Sequence, residues 1–165
     1  MKILVMSDSH SSLYYMKRFV EAVKPQAIVH LGDHFDDADV LAEEFPHIPL
    51  HRVPGNCDAW RMTRYEPPVK CYDVCGVRLL MTHGHEQRVK QTLLLLVKQA
   101  RELGAAAALY GHTHVADCHR EEDGLWVLNP GSCGYGGATA GLIETENGTI
   151  RSMRILHYAE LTVDS

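Results

Sequence analysis

The chain has 165 residues, a length that fits one domain with a substantial hydrophobic core. A hydrophobic share of 45%, a charged share of 22% and a net charge of -5 are ordinary for a soluble globular protein and give no sign of a surface that binds polyanions. A site that handles phosphate would therefore have to draw positive charge from a local source, and bound metal would provide it.

The first half of the chain alternates strands with helices. Residues 2–7 are a short apolar run ended by a polar turn, which predicts a buried first strand, and apolar residues at helical spacing predict a helix over residues 13–23. Residues 27–31 predict a second strand. The acidic stretch that follows predicts a second helix over residues 36–45, because early carboxylates suit a helix N-terminus, and residues 50–53 predict a third strand.

The second half of the chain is mostly strand. Residues 69–74 and 77–81 are predicted to pair as strands that turn at Gly76. A third helix is predicted before Gly104 from one apolar face, formed by Val89, Leu93, Leu96, Ala100 and Leu103. Further strands are predicted over residues 105–110, 115–120, 125–128, 139–144 and 149–156.

This order of elements predicts an α/β fold in which two mixed β-sheets pack as a sandwich flanked by helices. The sequence has no internal repeat, low-complexity tract or linker, which predicts a single domain over residues 1–165. The apolar run over residues 3–6 is too short for a signal-peptide core, and the four leucines at 93–96 fall far short of a membrane span. Five cysteines are an odd count that argues against a disulfide framework. We therefore expect a cytoplasmic protein.

Eleven histidines are unusual for this length, and histidine is the commonest metal ligand in proteins. Five short motifs rich in histidine and aspartate each follow a predicted strand. They are Asp8-Ser9-His10, Gly32-Asp33-His34-Phe35-Asp36, Gly55-Asn56-Cys57-Asp58, His83-Gly84-His85 and Gly111-His112-Thr113-His114. Each motif alone is weak, but ligands bind at the carboxyl ends of strands in open α/β sheets, so the set predicts one metal site. Residues 59–68 lack clear periodicity and are predicted to form a loop over its mouth.

This motif series resembles the calcineurin-like metallophosphoesterase superfamily, and most closely its small bacterial and archaeal phosphodiesterase branch. The motifs run from residue 8 to residue 114, and the Asn-Pro-Gly-Ser stretch at 129–132 also resembles that branch. The resemblance implies the metallophosphoesterase fold and hydrolysis of a small phosphoester, with a phosphodiester as the preferred substrate. It implies two divalent metal ions with a hydroxide bridging them as the nucleophile.

The resemblance also implies a role for each motif residue. Asp33 would bridge the two ions, and Asp36 would orient a ligand or close its turn. The first ion would be held by Asp8, His10 and His114, and the second by Asn56, His83 and His112. Neutral imidazoles and carboxylates suit borderline divalent ions; we expect manganese, with nickel, iron and zinc as alternatives. Such a pair can give hydroxide near neutral pH.

The group that protonates the leaving oxygen stays open. Many superfamily members have a histidine directly after the metal-binding asparagine, whereas this chain, like the small-phosphodiesterase branch, has Cys57. A thiol can donate a proton, but nearby cations favour the thiolate, so we interpret Cys57 as a packing residue and expect His85 or a metal-bound water to assist. His85, Cys57 and Asp58 are the candidate catalytic residues, acting either behind the metal ligands or on the leaving-group side of the phosphate.

For the other polar residues, the sequence gives less support for a role in the site. His30 lies inside an apolar strand and is interpreted as a core histidine, whereas His34 either lines the substrate cleft or faces solvent. Arg61, Arg64 and Tyr65 either contact substrate or belong to a solvated loop. Trp60 and Tyr65 could equally form a subunit interface, so a homo-oligomer is not excluded.

Two functions of different classes fit the motifs. One is a metal-dependent phosphoesterase acting on a small phosphoester; the other is a catalytically weak protein-interaction scaffold on the same fold, like the phosphoesterase-like subunit of retromer. Fold alone cannot separate them. All seven implied ligand positions carry side chains able to bind metal, which favours the enzyme. We expect no membrane partner, and the sequence carries no strong signal for nucleic-acid binding.

Overall fold

The computed structural model describes residues 1–60, 62, 64–134 and 137–161, which form an α/β sandwich. Its first half contains β1 (Lys2–Met6), α1 (Leu13–Val23), β2 (Ala27–His30), α2 (Asp37–Glu44) and β3 (Leu50–Arg52). Its centre contains β4 (Val69–Val74), β5 (Val77–Thr82), α3 (Leu94–Glu102), β6 (Ala107–Leu109), β7 (Asp117–Arg120) and β8 (Trp126–Asn129). The long strands β9 (Thr139–Glu146) and β10 (Thr149–His157) and the short helix α4 (Tyr158–Leu161) follow.

Two five-stranded sheets make up the sandwich, and both are mixed. The first has the order β10-β9-β1-β2-β3, with β1, β2 and β3 parallel and β9 antiparallel to β1. The second has the order β4-β5-β6-β8-β7, with β5, β6 and β8 parallel and the edge strands antiparallel. The predicted fold class is confirmed.

The side chains of β1 show how the layers are packed. Ile3 and Val5 point into the core between the sheets, and the alternate residues Leu4 and Met6 pack against Phe19 on the inner face of α1. On the far side of the second sheet, α3 covers β5 and β6 in the same way. Full burial of one such side chain stabilises the fold by about 1.5–3 kcal/mol.

Several element bounds and one short helix differ from the sequence prediction. The helix predicted from Val89 begins at Leu94, because residues 85–91 form turns that follow left-handed φ values of 106° at Gly84 and 56° at Arg88 instead of continuing the helix. Val89 is nevertheless buried beside α3, so its apolar spacing was real but belongs to a turn. Strand β7 begins at Asp117 rather than at 115, and the short helix α4 was not predicted.

The parallel strands place five loops at one edge of the sandwich. Three loops follow β1, β2 and β3 in the first sheet, and two follow β5 and β6 in the second. Backbone hydrogen bonds tie neighbouring loops together: Asp8 N–H donates to the Gly32 carbonyl at 3.0 Å, and Gly111 N–H donates to the His83 carbonyl at 2.9 Å. The five histidine and aspartate motifs occupy these loops.

Among the described residues, no helix combines the length and apolar character that crossing a membrane requires. Cys57, Cys71, Cys75, Cys118 and Cys133 are all free thiols.

Candidate metal centre

Four side chains from three loops converge at the edge of the first sheet. Ligand atoms of Asp8, His10, Asp33 and His114 all lie within 4.8 Å of one another. Asp8 is fully buried, and its Oδ2 accepts hydrogen bonds from Ser7 Oγ at 2.6 Å and from His112 N–H at 3.2 Å. Its Oδ1 has no hydrogen-bond donor among the described residues and lies 3.1 Å from His114 Nε2. A buried carboxylate oxygen facing an imidazole nitrogen fits a shared cation.

A second set of potential metal-ligand atoms, on His83, His112 and Asp33, lies beside the first and is called the second set of donors. His83 Nδ1 is 2.8 Å from the Leu31 carbonyl oxygen, which can only accept, so Nδ1 carries a proton, and in the neutral imidazole the lone pair of Nε2 faces the site. His83 Nε2 lies 3.2 Å from His112 Nδ1 and 3.5 Å from Asp33 Oδ2. Two nitrogens that each bind one ion at about 2.1 Å are roughly 3–3.5 Å apart. The spacing therefore fits a divalent ion.

Asp33 belongs to both sets of donors. Its Oδ1 accepts a hydrogen bond from the Cys57 N–H at 3.0 Å, and its Oδ2 faces His83. Asn56 is exposed at the rim, where its amide nitrogen lies 3.8 Å from Cys57 Sγ. A cation would take the amide oxygen of Asn56, but the structure gives no contact between that oxygen and the other donors.

The electrostatic environment prepares most of these side chains for a cation. Burial opposes ionisation of Asp33, but hydrogen bonding to His83 and to the Cys57 N–H holds its pKa below the ordinary value. Burial, with a contribution from His83, lowers the pKa of His112 to about 4, and burial also lowers the pKa of His10. Those imidazoles are neutral at pH 7, as metal binding requires.

His83 behaves differently from the other imidazoles. Its burial disfavours the charged form, yet Asp33 and Asp8 together raise its pKa above the ordinary value. The negative charges of Asp8 and Asp33 therefore both favour a positive charge close to His83. A proton on His83 would neutralise part of this negative charge, and a divalent ion would neutralise more of it.

The backbone of the ligand loops is unusual for residues with side chains. Left-handed φ values occur at Asp8 (54°), His10 (47°), Asp33 (55°), His112 (72°) and His114 (61°). Such conformations are uncommon outside glycine and cluster at functional sites, where surrounding structure must hold them. Sequence reasoning missed this feature, and the only available signal was that aspartate and histidine tolerate this region better than most residues.

Two motif glycines are required for close packing of the loops. A Cβ on Gly55 would overlap Asp33 Oδ1, and a Cβ on Gly111 would overlap Ser7 Oγ, the group that holds Asp8. These positions therefore allow one loop to approach the ligand carried by the next.

The three leaving-group candidates occupy different environments. His85 lies next to the second set, with its ring 5.6 Å from that of His83 and 6.2 Å from that of His112. Its Nδ1 is buried without a hydrogen-bond partner among the described residues, and burial together with His83 lowers its pKa. His85 is therefore a neutral imidazole beside the donors.

Cys57 and Asp58 are neighbours in the chain but have opposite surroundings. The side chain of Cys57 is exposed, so its interpretation as a packing residue is wrong. Burial and the charge of Asp33 raise its pKa, which keeps the thiol protonated at neutral pH. Asp58 is fully buried, and its two oxygens accept hydrogen bonds from Phe35 N–H at 3.1 Å and Gly55 N–H at 2.7 Å. That geometry links two ligand loops.

The remaining polar residues fall into two groups. His30 is a buried core histidine with partners, as predicted, and His34 is half-buried with its ring 5.1 Å from that of His10. Trp60, Arg64 and Tyr65 are exposed, with Trp60 at 78% and Tyr65 at 80%. Arg61 lies outside the described residues.

Comparisons with known proteins show that the chain is similar to phosphoesterases. The family model described as the calcineurin-like phosphoesterase superfamily domain matches residues 1–148. A probable metallophosphoesterase of Bacillus subtilis, YsnB, is 34% identical over 133 residues, which cover 80% of this chain and 75% of the relative. A probable metallophosphoesterase of Mycoplasma pneumoniae is 28% identical over 137 residues, covering 79% of this chain and 78% of the relative.

Solved structures show the same fold. A conserved Streptococcus pneumoniae protein, described as a predicted phosphoesterase, superposes with a TM-score of 0.75 at 27% identity, covering 94% of this chain and 88% of that one. Vps29 of Entamoeba histolytica, solved as a complex with Zn²⁺, superposes with a TM-score of 0.70 at 18% identity, covering 95% and 99% of the two chains. At that identity the likeness concerns the fold alone.

Proposed function

The chain belongs to the calcineurin-like phosphoesterase superfamily, and on that premise we propose that it hydrolyses a small phosphodiester with two divalent metal ions. The observation that carries the proposal is the position of Asp33. A ligand atom of its carboxylate lies within 4.8 Å of those of Asp8, His10 and His114, and its Oδ2 is 3.5 Å from His83 Nε2. A carboxylate shared by two sets of donors is the arrangement that a dinuclear site requires.

Three of the proposed ligands are held by the protein through one atom and have another atom free for the site. Asp8 uses Oδ2 for Ser7 and the His112 N–H, and His83 uses Nδ1 for the Leu31 carbonyl. Asp33 uses Oδ1 for the Cys57 N–H. Such outer hydrogen bonds fix the orientation and the tautomer of a ligand before an ion arrives. We assign Asp8, His10 and His114 to one ion, and Asn56, His83 and His112 to the other.

The chemistry follows from charge and access. When bound, the two ions would lower the pKa of a water molecule to supply the nucleophile and would neutralise the phosphate oxygens. Two divalent cations outweigh the carboxylates of Asp8 and Asp33, so the site attracts an anion although the chain carries a net charge of -5. The side chain of His114 is 40% exposed, whereas that of Asp8 is fully buried, so this rim admits a substrate.

His85 and Cys57 are the groups that we place on the leaving-group side. Without metal, the pKa of His85 lies below its ordinary value because the ring is buried, and Cys57 carries an exposed thiol whose pKa lies above its ordinary value. Neither is an acid matched to a poor leaving group at neutral pH. We therefore expect the rate to depend strongly on the acidity of the leaving alcohol, which favours substrates with acidic leaving groups.

A metal screen tests the proposed activity. We expect bis(4-nitrophenyl) phosphate to be hydrolysed only with added metal, faster than 4-nitrophenyl phosphate, with Mn²⁺ the favoured ion and Ni²⁺, Fe²⁺ and Zn²⁺ as comparisons. No turnover of either ester with any of the four ions would refute an enzyme and favour a scaffold on this fold. Location in the cytoplasm and a homo-oligomeric state remain predictions.

Paired variants test the bridging role of Asp33. The Asp33→Asn enzyme should lose more than the roughly 10- to 100-fold in kcat/KM that outer partners typically cost, because one carboxylate serves both ions. Arg64→Ala removes an exposed cation from the neighbouring loop and should cost much less. Equal losses of kcat/KM in the two variants would contradict the bridging assignment.

The dependence of kcat/KM on the pKa of the leaving group distinguishes the role of His85 from that of Cys57. A series of aryl methyl phosphates with leaving phenols of increasing pKa should show a steep decline of kcat/KM in the native enzyme. If His85 assists departure, His85→Asn should steepen that decline, and Cys57→Ala should leave its slope unchanged. A flat dependence in the native enzyme would show that an efficient acid is already present.

A further inference from the structure

A buried polar network lies behind the two loops that carry Asp8, His10 and Asp33. Ser9 sits between two proposed ligands and is fully buried. Its Oγ lies 2.6 Å from Asp37 Oδ2 and 3.0 Å from His30 Nε2. Asp37, at the start of α2, is 7% exposed, and the same Oδ2 accepts a hydrogen bond from Ser11 N–H at 2.8 Å. One carboxylate oxygen therefore holds both Ser9 and Ser11 from the loop of His10.

The direction of each hydrogen bond in the network is fixed by the chemistry. Gly32 N–H can only donate, so His30 Nδ1 accepts at 3.2 Å and the proton of His30 is on Nε2. That Nε2–H donates to Ser9 Oγ, whose own proton is then free to donate to Asp37. The network begins at the glycine before Asp33 and ends at a carboxylate on α2. It connects the loop after β1 with the loop after β2.

The loop that this network holds has an unfavourable backbone. Within four residues, Asp8, His10 and Ser11 take left-handed φ values of 54°, 47° and 66°. Such conformations persist only where surrounding contacts impose them. Asp37 accepts from Ser9 and Ser11, which flank His10 on both sides, and is therefore placed to impose the conformation of His10.

We propose that Asp37, acting through Ser9 and Ser11, is a positioning residue that holds His10 and Asp8 in the geometry needed to bind the first metal ion, with His30 coupling this loop to that of Asp33. The inference rests on the proposed metal site and adds a determinant of its affinity. Asp36, which the resemblance implies orients a ligand or closes its turn, is the exposed N-cap residue of α2, and its neighbour Asp37 makes these buried contacts.

The test is a measurement of metal affinity that does not depend on turnover. Mn²⁺ binding to the full chain is followed by isothermal titration calorimetry for native protein, Asp37→Ala, Asp37→Asn, Ser9→Ala and Asp39→Ala. Asp39→Ala is the matched control, because it also removes one carboxylate from the first turn of α2, but from an exposed ion pair with Arg52. Thermal unfolding of the metal-free proteins establishes that each variant is folded at the titration temperature.

We expect Asp37→Ala to weaken one of two Mn²⁺ binding events by roughly 10- to 100-fold and the other much less. Asp37→Asn keeps one acceptor oxygen and should fall between Asp37→Ala and native protein. Ser9→Ala should weaken the same event without changing the net charge, and Asp39→Ala should match native protein. The absorption spectrum of Co²⁺ bound at the first site should change in the Asp37 variants, because the position of His10 changes.

Two results would overturn the inference: native affinity for both ions in folded Asp37→Ala and Ser9→Ala, or the same loss in Asp39→Ala as in Asp37→Ala. The proposed function is tested separately, because it depends on turnover. A native chain that binds Mn²⁺ and hydrolyses no phosphoester would refute the function, and the comparison of affinities would still decide the role of Asp37.

Discussion

Asp58 illustrates how a motif carboxylate can serve the site without facing it. Its two oxygens accept the N–H groups of Phe35 and Gly55, one from each of two ligand loops. Both N–H groups would otherwise be buried without an acceptor, and each such group costs about 1–3 kcal/mol. The residue thus stabilises the geometry on which Asp33 depends.

We expect Asp58→Ala to lower the free energy of unfolding of the metal-free protein by about 2–4 kcal/mol, because two buried donors lose their acceptor. Urea denaturation followed by circular dichroism measures the change. Asp73→Ala provides the control, since Asp73 is exposed and only 4.0 Å from Arg78 in a solvated ion pair, a type worth less than about 1 kcal/mol. A stable Asp58→Ala protein with altered leaving-group dependence would instead identify Asp58 as a group near the substrate.

The loops act together as one unit because they pack in sequence along the sheet edge. The loop after β1 is tied to the loop after β2 by the Asp8 N–H, and the loop after β2 is pressed against the loop after β3 at Gly32 and Gly55. A displacement of one loop is therefore passed to the ligand on the next. Gly32 and Gly55 are needed because they allow these two loops to approach each other closely.

Gly55→Ala should weaken Mn²⁺ binding by roughly 10- to 100-fold, because the added methyl group must displace Asp33. Gly104→Ala is the comparison: its Cβ would meet nothing within 4 Å, and its φ of +69° should cost only about 1 kcal/mol of stability. Calorimetric titration combined with urea denaturation separates affinity from stability. Equal Mn²⁺ affinity in the two variants would show that the loops can relax around a side chain at residue 55.

The whole molecule is a sandwich whose proposed metal site lies across both sheets. Asp8, His10 and Asp33 come from the first sheet, and His83, His112 and His114 come from the second. Ions bound there would connect the layers at the edge, in addition to the apolar core between them. Binding to the folded state alone must then raise the stability of the entire domain.

Removal of metal with EDTA should lower the melting temperature. At a free Mn²⁺ concentration of about 100 times Kd the stabilisation is about 2.7 kcal/mol, which corresponds to a shift of about 5–10 °C for a domain of this size. Differential scanning calorimetry with and without Mn²⁺ measures it. Asp33→Asn should abolish most of the shift, and an unchanged shift in that variant would place the stabilising ion elsewhere.

Local patterns predicted much of this molecule. The bounds of α1 and the identity of β1, β4 and β5 follow from apolar spacing within one segment, and the motif residues do lie at one edge of the sandwich. Val89 misled the prediction of α3, because a buried turn residue has the same apolar character as a helix residue. The four-residue helix α4 depends on contacts of Tyr158 with Tyr15 and Phe19, far away in the chain.

The candidate site also has features that depend on contacts between distant segments, which local sequence patterns do not show. Histidine and aspartate types identified the donors, but no spacing rule indicated their left-handed backbone. The hydrogen bond between Ser9 and Asp37 joins residues 28 positions apart. The position of α2 against the loop after β1 decides that Asp37 makes this hydrogen bond, and the sequence alone does not show that position. Cys57 is exposed because the Asn56–Cys57 turn lies at the rim, which is a property of the assembled loops.

The contact between Asp8 and the loop of His112 has a consequence for biosynthesis. The hydrogen bond from His112 N–H to Asp8 joins residues 104 positions apart, and it closes only when the two sheets have docked. A nascent chain emerging from the ribosome would carry Asp8, His10 and Asp33 long before their partners exist, and would offer an ion only part of its coordination shell. Tight binding of metal at the proposed site should therefore be a late event, which follows synthesis of the segment that carries His112 and His114 and docking of the two sheets.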